Sequence, residues 1–207
     1  MSDVNWQRPL PLFPLRAVLF PGGLLPLKVF EARYVDLVTQ CLRDDRAFGV
    51  LCLLQGTEAG RSEHAIQMET VGVLATVSSL DAEQAGILRV NCLGGQRFTC
   101  VDSPVQQDNG LWQCRAQPVL DDEPVVPAPA LFATVQALSG VITKMRAQGH
   151  ALVTEPWRLD DAAWVANRWC EILPIALSAK QKLMALPDAQ ARLTLVDSFL
   201  RDKGVVP

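Results

Sequence analysis

Apolar residues are distributed in two ways along this chain. Up to about Leu120 they come in short runs broken by glycine, proline or Asp-Asn-Gly; after Leu131 they recur every three or four residues. The first pattern predicts strands and the second helices. Leu10 to Pro21 is apolar but punctuated by prolines, which suits an edge or kinked strand. Gly22-Gly23 turns the chain into a second extended piece, Leu24 to Phe30. Phe30, Tyr34, Leu37, Val38, Cys41 and Leu42 then share one face of a helix that Asp44-Asp45-Arg46 ends. Phe48 to Gln55 is continuously apolar, as in a strand covered on both faces. A polar loop, Gly56 to Glu69, precedes two strand-like runs, Val71 to Leu80 and Gly86 to Gly95, joined by a hairpin-length Asp-Ala-Glu-Gln-Ala. Gly94-Gly95 reads as a further turn, and Asp108-Asn109-Gly110 as a strong one between the last two strands. Many short strands joined by tight turns predict a closed or nearly closed antiparallel barrel, an arrangement that removes sheet edges.

Asp121 to Ala130, acidic and then carrying three prolines, reads as a stiff connector. Beyond it, Leu131, Val135, Leu138, Ile142 and Met145 mark one helix, with Gly149 as its stop. Asp160 or Asp161 caps a second, ended by Pro174. Ser178 with Gln181 forms a capping box for a short third. Asp188 caps a fourth, with Leu193, Val196, Phe199 and Leu200 on one face and Gly204 at its end. The expectation is an α+β chain: a barrel with one helix over 1–120, a connector over 121–130 and a helical bundle over 131–207.

Composition narrows the function. With 207 residues, 49% hydrophobic and 20% charged, the chain is long enough for a real core and ordinary enough to exclude disorder. A net charge of −3 argues against a nucleic-acid binder, which needs a basic excess to release phosphate counterions. No apolar stretch reads as a membrane span, and the first residues lack the basic and apolar blocks of an export signal, so the expected location is the cytoplasm. The six cysteines form no CxxC pair and mostly sit in apolar runs, as small buried hydrophobes do. Neither His64 nor His150 has a ligand partner at short spacing, so no metal or cofactor is expected. The chain contains no GxxxxGK[ST], GxGxxG, GxSxG or HExxH motif. Three of the five tryptophans lie between Trp157 and Trp169, either as a stacking surface or as glue between the helical part and the barrel.

Several blocks in fixed order carry a resemblance: Pro14-Leu15-Arg16, Phe20-Pro21-Gly22, Leu25-Pro26-Leu27, Phe30-Glu31-Ala32-Arg33-Tyr34, Val71 to Ala75, Gly94 to Phe98, and Leu173-Pro174 before Lys180 to Leu183. Together they resemble the Lon N-terminal, or substrate-binding, domain. Ala17 departs from that family's pattern, which commonly has an acidic or similar polar residue there. The resemblance implies a PUA-like β pseudo-barrel followed by a helical bundle. It also implies a stand-alone recognition module, since the chain ends before an ATPase or a Ser–Lys protease domain would begin. No catalytic residues transfer, so no enzyme activity is expected. The expected partner is unfolded or partner polypeptide. The candidate binding residues are Arg16, Glu31, Arg33, Tyr34 and Arg97, the first four being polar groups set among apolar ones. They either orient a ligand's backbone or carboxylate, or fasten the helix to the barrel. Two other readings stand beside this one: a small-ligand or RNA-binding sensor using the barrel mouth, and a hydrolase in which a Cys or Ser meets His64 or His150.

Overall fold

The computed structural model describes residues 4–56, 66–84, 86–149 and 153–207, with backbone alone for Glu83. The chain divides into two compact units, Met1–Leu120 and Asp121–Pro207. Among its described residues the first contains nine strands: β1 (Leu10–Leu15), β2 (Leu24–Val29), β3 (Phe48–Gln55), β4 (Gln67–Met68), β5 (Val71–Gln84), β6 (Ile87–Cys100), β7 (Val105–Gln106), β8 (Trp112–Cys114) and β9 (Ala116–Pro118). Helix α1 (Ala32–Arg43) lies between β2 and β3.

The hydrogen-bonded order is β2-β6-β5-β3-β1-β8-β7, with β4 on β3 and β9 on β6. One residue, Arg115, separates β8 from β9. The segment 112–118 therefore pairs β1 with its first half and β6 with its second, and the ladder returns on itself as a barrel. Leu10, Leu12, Leu51, Leu74, Phe98, Cys114 and Ala116 form a core cluster inside it. The sheet is mixed: β1 runs parallel to β3, while the other pairings are antiparallel. A parallel pair needs a long crossover, here supplied by β2 and α1.

Of the two proline-bearing strands that open the chain, β2 is the edge and β1 is not. Strand β8 pairs with residues 10–12 and β3 with residues 12–15. Pro11 and Pro14 each have a neighbouring strand on one side only, which is how an interior strand carries two residues that donate no amide. Gly94-Gly95 is not a turn. Both residues lie within β6, which runs on to Cys100, and the β5–β6 hairpin closes ahead of them, at Gln84↔Ile87, with Gly86 at φ 79°. Gly94 is small for another reason. Its amide donates to the Gly23 carbonyl at 2.8 Å and its carbonyl accepts from Gly22 at 2.8 Å, so the loop before β2 lies directly on it.

The second unit holds a 3₁₀ turn (Pro129–Leu131) and helices α2 (Phe132–Ala147), α3 (Ala162–Ile172), α4 (Leu177–Ala185) and α5 (Ala189–Asp202). The Asp161 carboxylate accepts from the Ala163 and Trp164 amides, and that of Asp188 from the Ala191 amide, the capping that helix N-termini require. The capping box at α4 does not form: the helix starts at Leu177 after Ala176, with no side-chain cap, and Gln181 is buried. On α2 it is Thr134 rather than Val135 that is buried, because its hydroxyl donates to Asp197 of α5 at 2.5 Å. The Trp169 indole donates to the Thr134 carbonyl at 3.1 Å. The segment read as a connector is tied into this unit. The Val125 carbonyl accepts from Ala162, and the Asp122 carboxylate takes the buried Arg192 guanidinium at 2.9 and 3.3 Å.

Candidate functional site

Three of the five candidate residues meet at the start of α1. Glu31 is the residue before the helix, and Arg33 and Tyr34 are in its first turn. The Glu31 carboxylate does not cap the helix; it accepts from the Arg33 guanidinium at 2.9 Å. Another Arg33 nitrogen donates to the Gly110 carbonyl at 2.7 Å, and the guanidinium carbon lies 4.7 Å from the centre of the Tyr34 ring. Tyr34 is buried and stacks on Phe13 of β1, with centroids 4.0 Å apart and planes 10° from parallel. Gly110 belongs to the turn between β7 and β8, where its φ of 81° suits glycine. Arg33 thus fastens the helix start to that turn while orienting Glu31.

The other two candidates lie elsewhere. Arg16 is exposed just past β1 and donates to the Gly56 carbonyl at 2.8 Å. Arg97, on β6, is 2% exposed and donates to the Leu120 carbonyl at 3.1 Å, securing the end of the unit's last strand segment.

Beside Glu31 and Tyr34 is a pocket of about 190 Å³. Its walls come from β1 (Phe13, Leu15), from β2 (Pro26, Leu27, Lys28, Val29) and from the helix entrance (Phe30, Glu31, Tyr34). The volume is below the ~300–1,000 Å³ of sites for drug-sized ligands. Seven of the nine lining residues are apolar or aromatic, and Lys28 and Glu31 supply one charge of each sign. The β2 wall is also a sheet edge: β2 pairs with β6 and ends the strand order. Phe30, which lines the pocket, is 58% exposed and carries its apolar surface outward. The sequence marks the two proline-bearing first strands as candidates for an edge or the rim of a groove, and Pro26, with no amide to donate inside an apolar run, is what marks β2, although none of the five candidate residues lies on it.

Among the described residues no group of three or more His, Cys, Asp or Glu side chains converges as a metal site would require. His64 and His150, the histidines on which a hydrolase would rest, lie outside the described residues. No helix among the described residues is long and apolar enough to cross a membrane.

A sequence model of the ATP-dependent protease La (LON) substrate-binding domain matches residues 9–202. The chain belongs to the Lon substrate-binding domain family. A Lon protease from Anaeromyxobacter dehalogenans is 26% identical over 198 residues, covering 94% of this chain and 23% of the protease. Protein cereblon from Gallus gallus is 31% identical over 143 residues, covering 67% of this chain and 30% of cereblon. The crystal structure of a Lon N-terminal domain protein from Xanthomonas campestris superposes with a TM-score of 0.74 at 28% identity, covering 93% of this chain and 98% of that one. This Lon substrate-binding domain therefore spans about a quarter of the length of the curated Lon protease it matches, and the match lies in the substrate-binding part.

Proposed function

We propose that this Lon substrate-binding domain is a non-enzymatic module that recognises unfolded or partner polypeptide, as protein quality control requires. An extended segment is added along the free side of β2, with one apolar side chain seated in the pocket beside Tyr34. Main-chain hydrogen bonds along a strand edge supply affinity that is indifferent to sequence, and a pocket at alternate positions supplies selectivity. The observation that supports this reading is the coincidence of a one-sided strand with an apolar pocket on the same residues, Pro26 to Val29. In it Phe30 covers the bound side chain, Tyr34 and Phe13 form the floor, and the Glu31–Arg33 pair sets the polar rim. A cytoplasmic location, where thiols stay reduced, is part of the reading and is supported by six unbonded cysteines.

The small-ligand alternative finds a pocket sized for a side chain, and the RNA alternative finds Arg97 buried and Arg16 apart from the pocket. Fluorescence anisotropy with a labelled extended apolar peptide tests the proposal. Phe30→Ala removes an exposed ring and is expected to weaken binding about tenfold, the equivalent of ~1.4 kcal/mol. Val205→Ala, an exposed site in the second unit, is expected to leave binding unchanged. Equal affinity of the wild type and Phe30→Ala overturns the proposed site.

A further inference from the structure

Two thiols of the barrel unit face each other at hydrogen-bond distance. Cys100 is the last residue of β6 and Cys114 the last of β8, and their sulfurs are 2.8 Å apart. Their backbones are held from several sides. The Cys100 amide donates to the Thr70 carbonyl and the Val101 amide to the Arg115 carbonyl, both at 2.8 Å, and Cys100 and Cys114 are in register with Ala116 and Leu10. A disulfide bond is ~2.05 Å long, so the two sulfurs need to close by less than about 1 Å. Cys100 is half-buried beside the exposed Val101 and Asp102, whereas Cys114 is buried in the core cluster. Cys100 thus keeps some solvent exposure as a residue, where Cys114 has almost none.

We propose that Cys100 and Cys114 are a reversible dithiol–disulfide modification site that responds to hydroperoxides. The order of the steps follows from the environment of each thiol. The hydrogen bond it shares with Cys114 lowers the Cys100 thiol's pKa from its usual range, against burial and the nearby Asp102 charge. The same hydrogen bond, with burial, pushes the Cys114 thiol well above it. Burial also pushes Cys41 and Cys52 up to about 11 and Cys92 and Cys170 to about 12. Of the two thiols Cys100 is therefore the one whose thiolate is favoured, and it is the attacking sulfur. Its sulfur attacks one oxygen of the hydroperoxide, the O–O bond breaks, and the departing oxygen takes up a proton to leave as alcohol, or as water from hydrogen peroxide. Cys100 is then a sulfenic acid. Cys114 gives up its proton, its sulfur attacks the Cys100 sulfur, and hydroxide leaves with that proton as water. Two thiols are oxidised by two electrons in all, and one peroxide is reduced by two.

The cross-link would enclose residues 101–113. That loop includes β7 and the turn whose Gly110 carbonyl holds Arg33. Oxidation thus adds a covalent clamp at the base of a hairpin whose strands, β7 and β8, pair Val105 with Gln113 and Gln106 with Trp112.

The test uses the full chain treated with hydrogen peroxide, quenched, unfolded and alkylated with N-ethylmaleimide before intact-mass measurement. The chain has six cysteines. Untreated protein takes six adducts and treated protein four; a thiol reductant restores six, and a digest yields a peptide pair joined through Cys100 and Cys114. Cys100→Ser, near the surface, keeps five adducts with or without peroxide. Cys114→Ser leaves a Cys100 sulfenic acid that dimedone traps. Amide exchange over residues 105–114 slows severalfold in the oxidised wild type. The proposal fails if treated wild type keeps six adducts, if the lost adducts map to another pair, or if the loss persists in Cys100→Ser. Unchanged exchange in the hairpin overturns the clamp.

Discussion

Adding one methyl group at Gly94 separates a glycine needed for close approach from a neighbour that is not. A Cβ at Gly94 would sit 2.3 Å from the Phe20 carbonyl oxygen and 3.1 Å from the Leu19 side chain. The oxygen belongs to backbone and cannot rotate away, so the loop 20–23 must back off. The two hydrogen bonds between that loop and Gly94 then stretch past the useful range. Their loss costs about 1–3 kcal/mol and the overlap about 1–3 kcal/mol more. Removing a glycine from the unfolded chain returns about 0.4–1 kcal/mol. Gly94→Ala should therefore destabilise the barrel unit by about 3 kcal/mol. At Gly95 the nearest atom to a new Cβ is the Leu74 carbonyl oxygen at 3.6 Å, an ordinary contact, and neither glycine has a positive φ. Gly95→Ala should fall within about 1 kcal/mol of wild type. Equilibrium urea unfolding, followed by tryptophan fluorescence and circular dichroism, reads the difference. The Gly94→Ala midpoint should lie about 1–3 M lower at ordinary denaturant sensitivity. If the two alanines cost the same within about 0.5 kcal/mol, the close approach of loop and strand is refuted.

The buried Arg192 guanidinium also donates to the carbonyls of Leu183 and Leu186 and to the Asn167 side chain. Arg192→Ala removes the buried guanidinium that pairs with Asp122, 8% exposed, and should cost about 3–5 kcal/mol in thermal unfolding. A double change, Arg192→Met with Asp122→Leu, should recover most of that loss; no recovery would show that packing rather than charge is at stake. Asp161→Ala removes the acceptor for the first amides of α3 and should cost about 1 kcal/mol, with Asp161→Asn nearly neutral in the same assay.

Local chemistry made some features legible and left others hidden. Asp161, Asp188 and Asp108-Asn109-Gly110 act on residues two or three positions away, so their effects could be read from the sequence. The grouping of Glu31, Arg33 and Tyr34 was legible for the same reason, since one helix turn brings them together. The parallel pairing of β1 with β3 was not, because periodicity tells which face a residue takes and not which strand lies beside it. The same gap hid which proline strand is the edge, a matter of how far β8 and β3 extend along β1. Gly94-Gly95 looked like a turn because close approach and chain reversal both call for glycine. Arg97 reads as a binding candidate in the sequence, whereas register puts it across from Val73 and it is buried. The Cys100–Cys114 contact carried no short-spacing signal, since 13 residues separate the two positions.

The returning segment at 112–118 also sets a schedule for the growing chain. Leu10 meets Cys114 only after 104 further residues have been made. At about 5–20 residues per second that takes roughly 5–20 s on the ribosome, during which β1 has one side unclaimed. Whatever shields the nascent chain in that interval has to let go of an apolar ribbon as soon as residues 112–114 emerge.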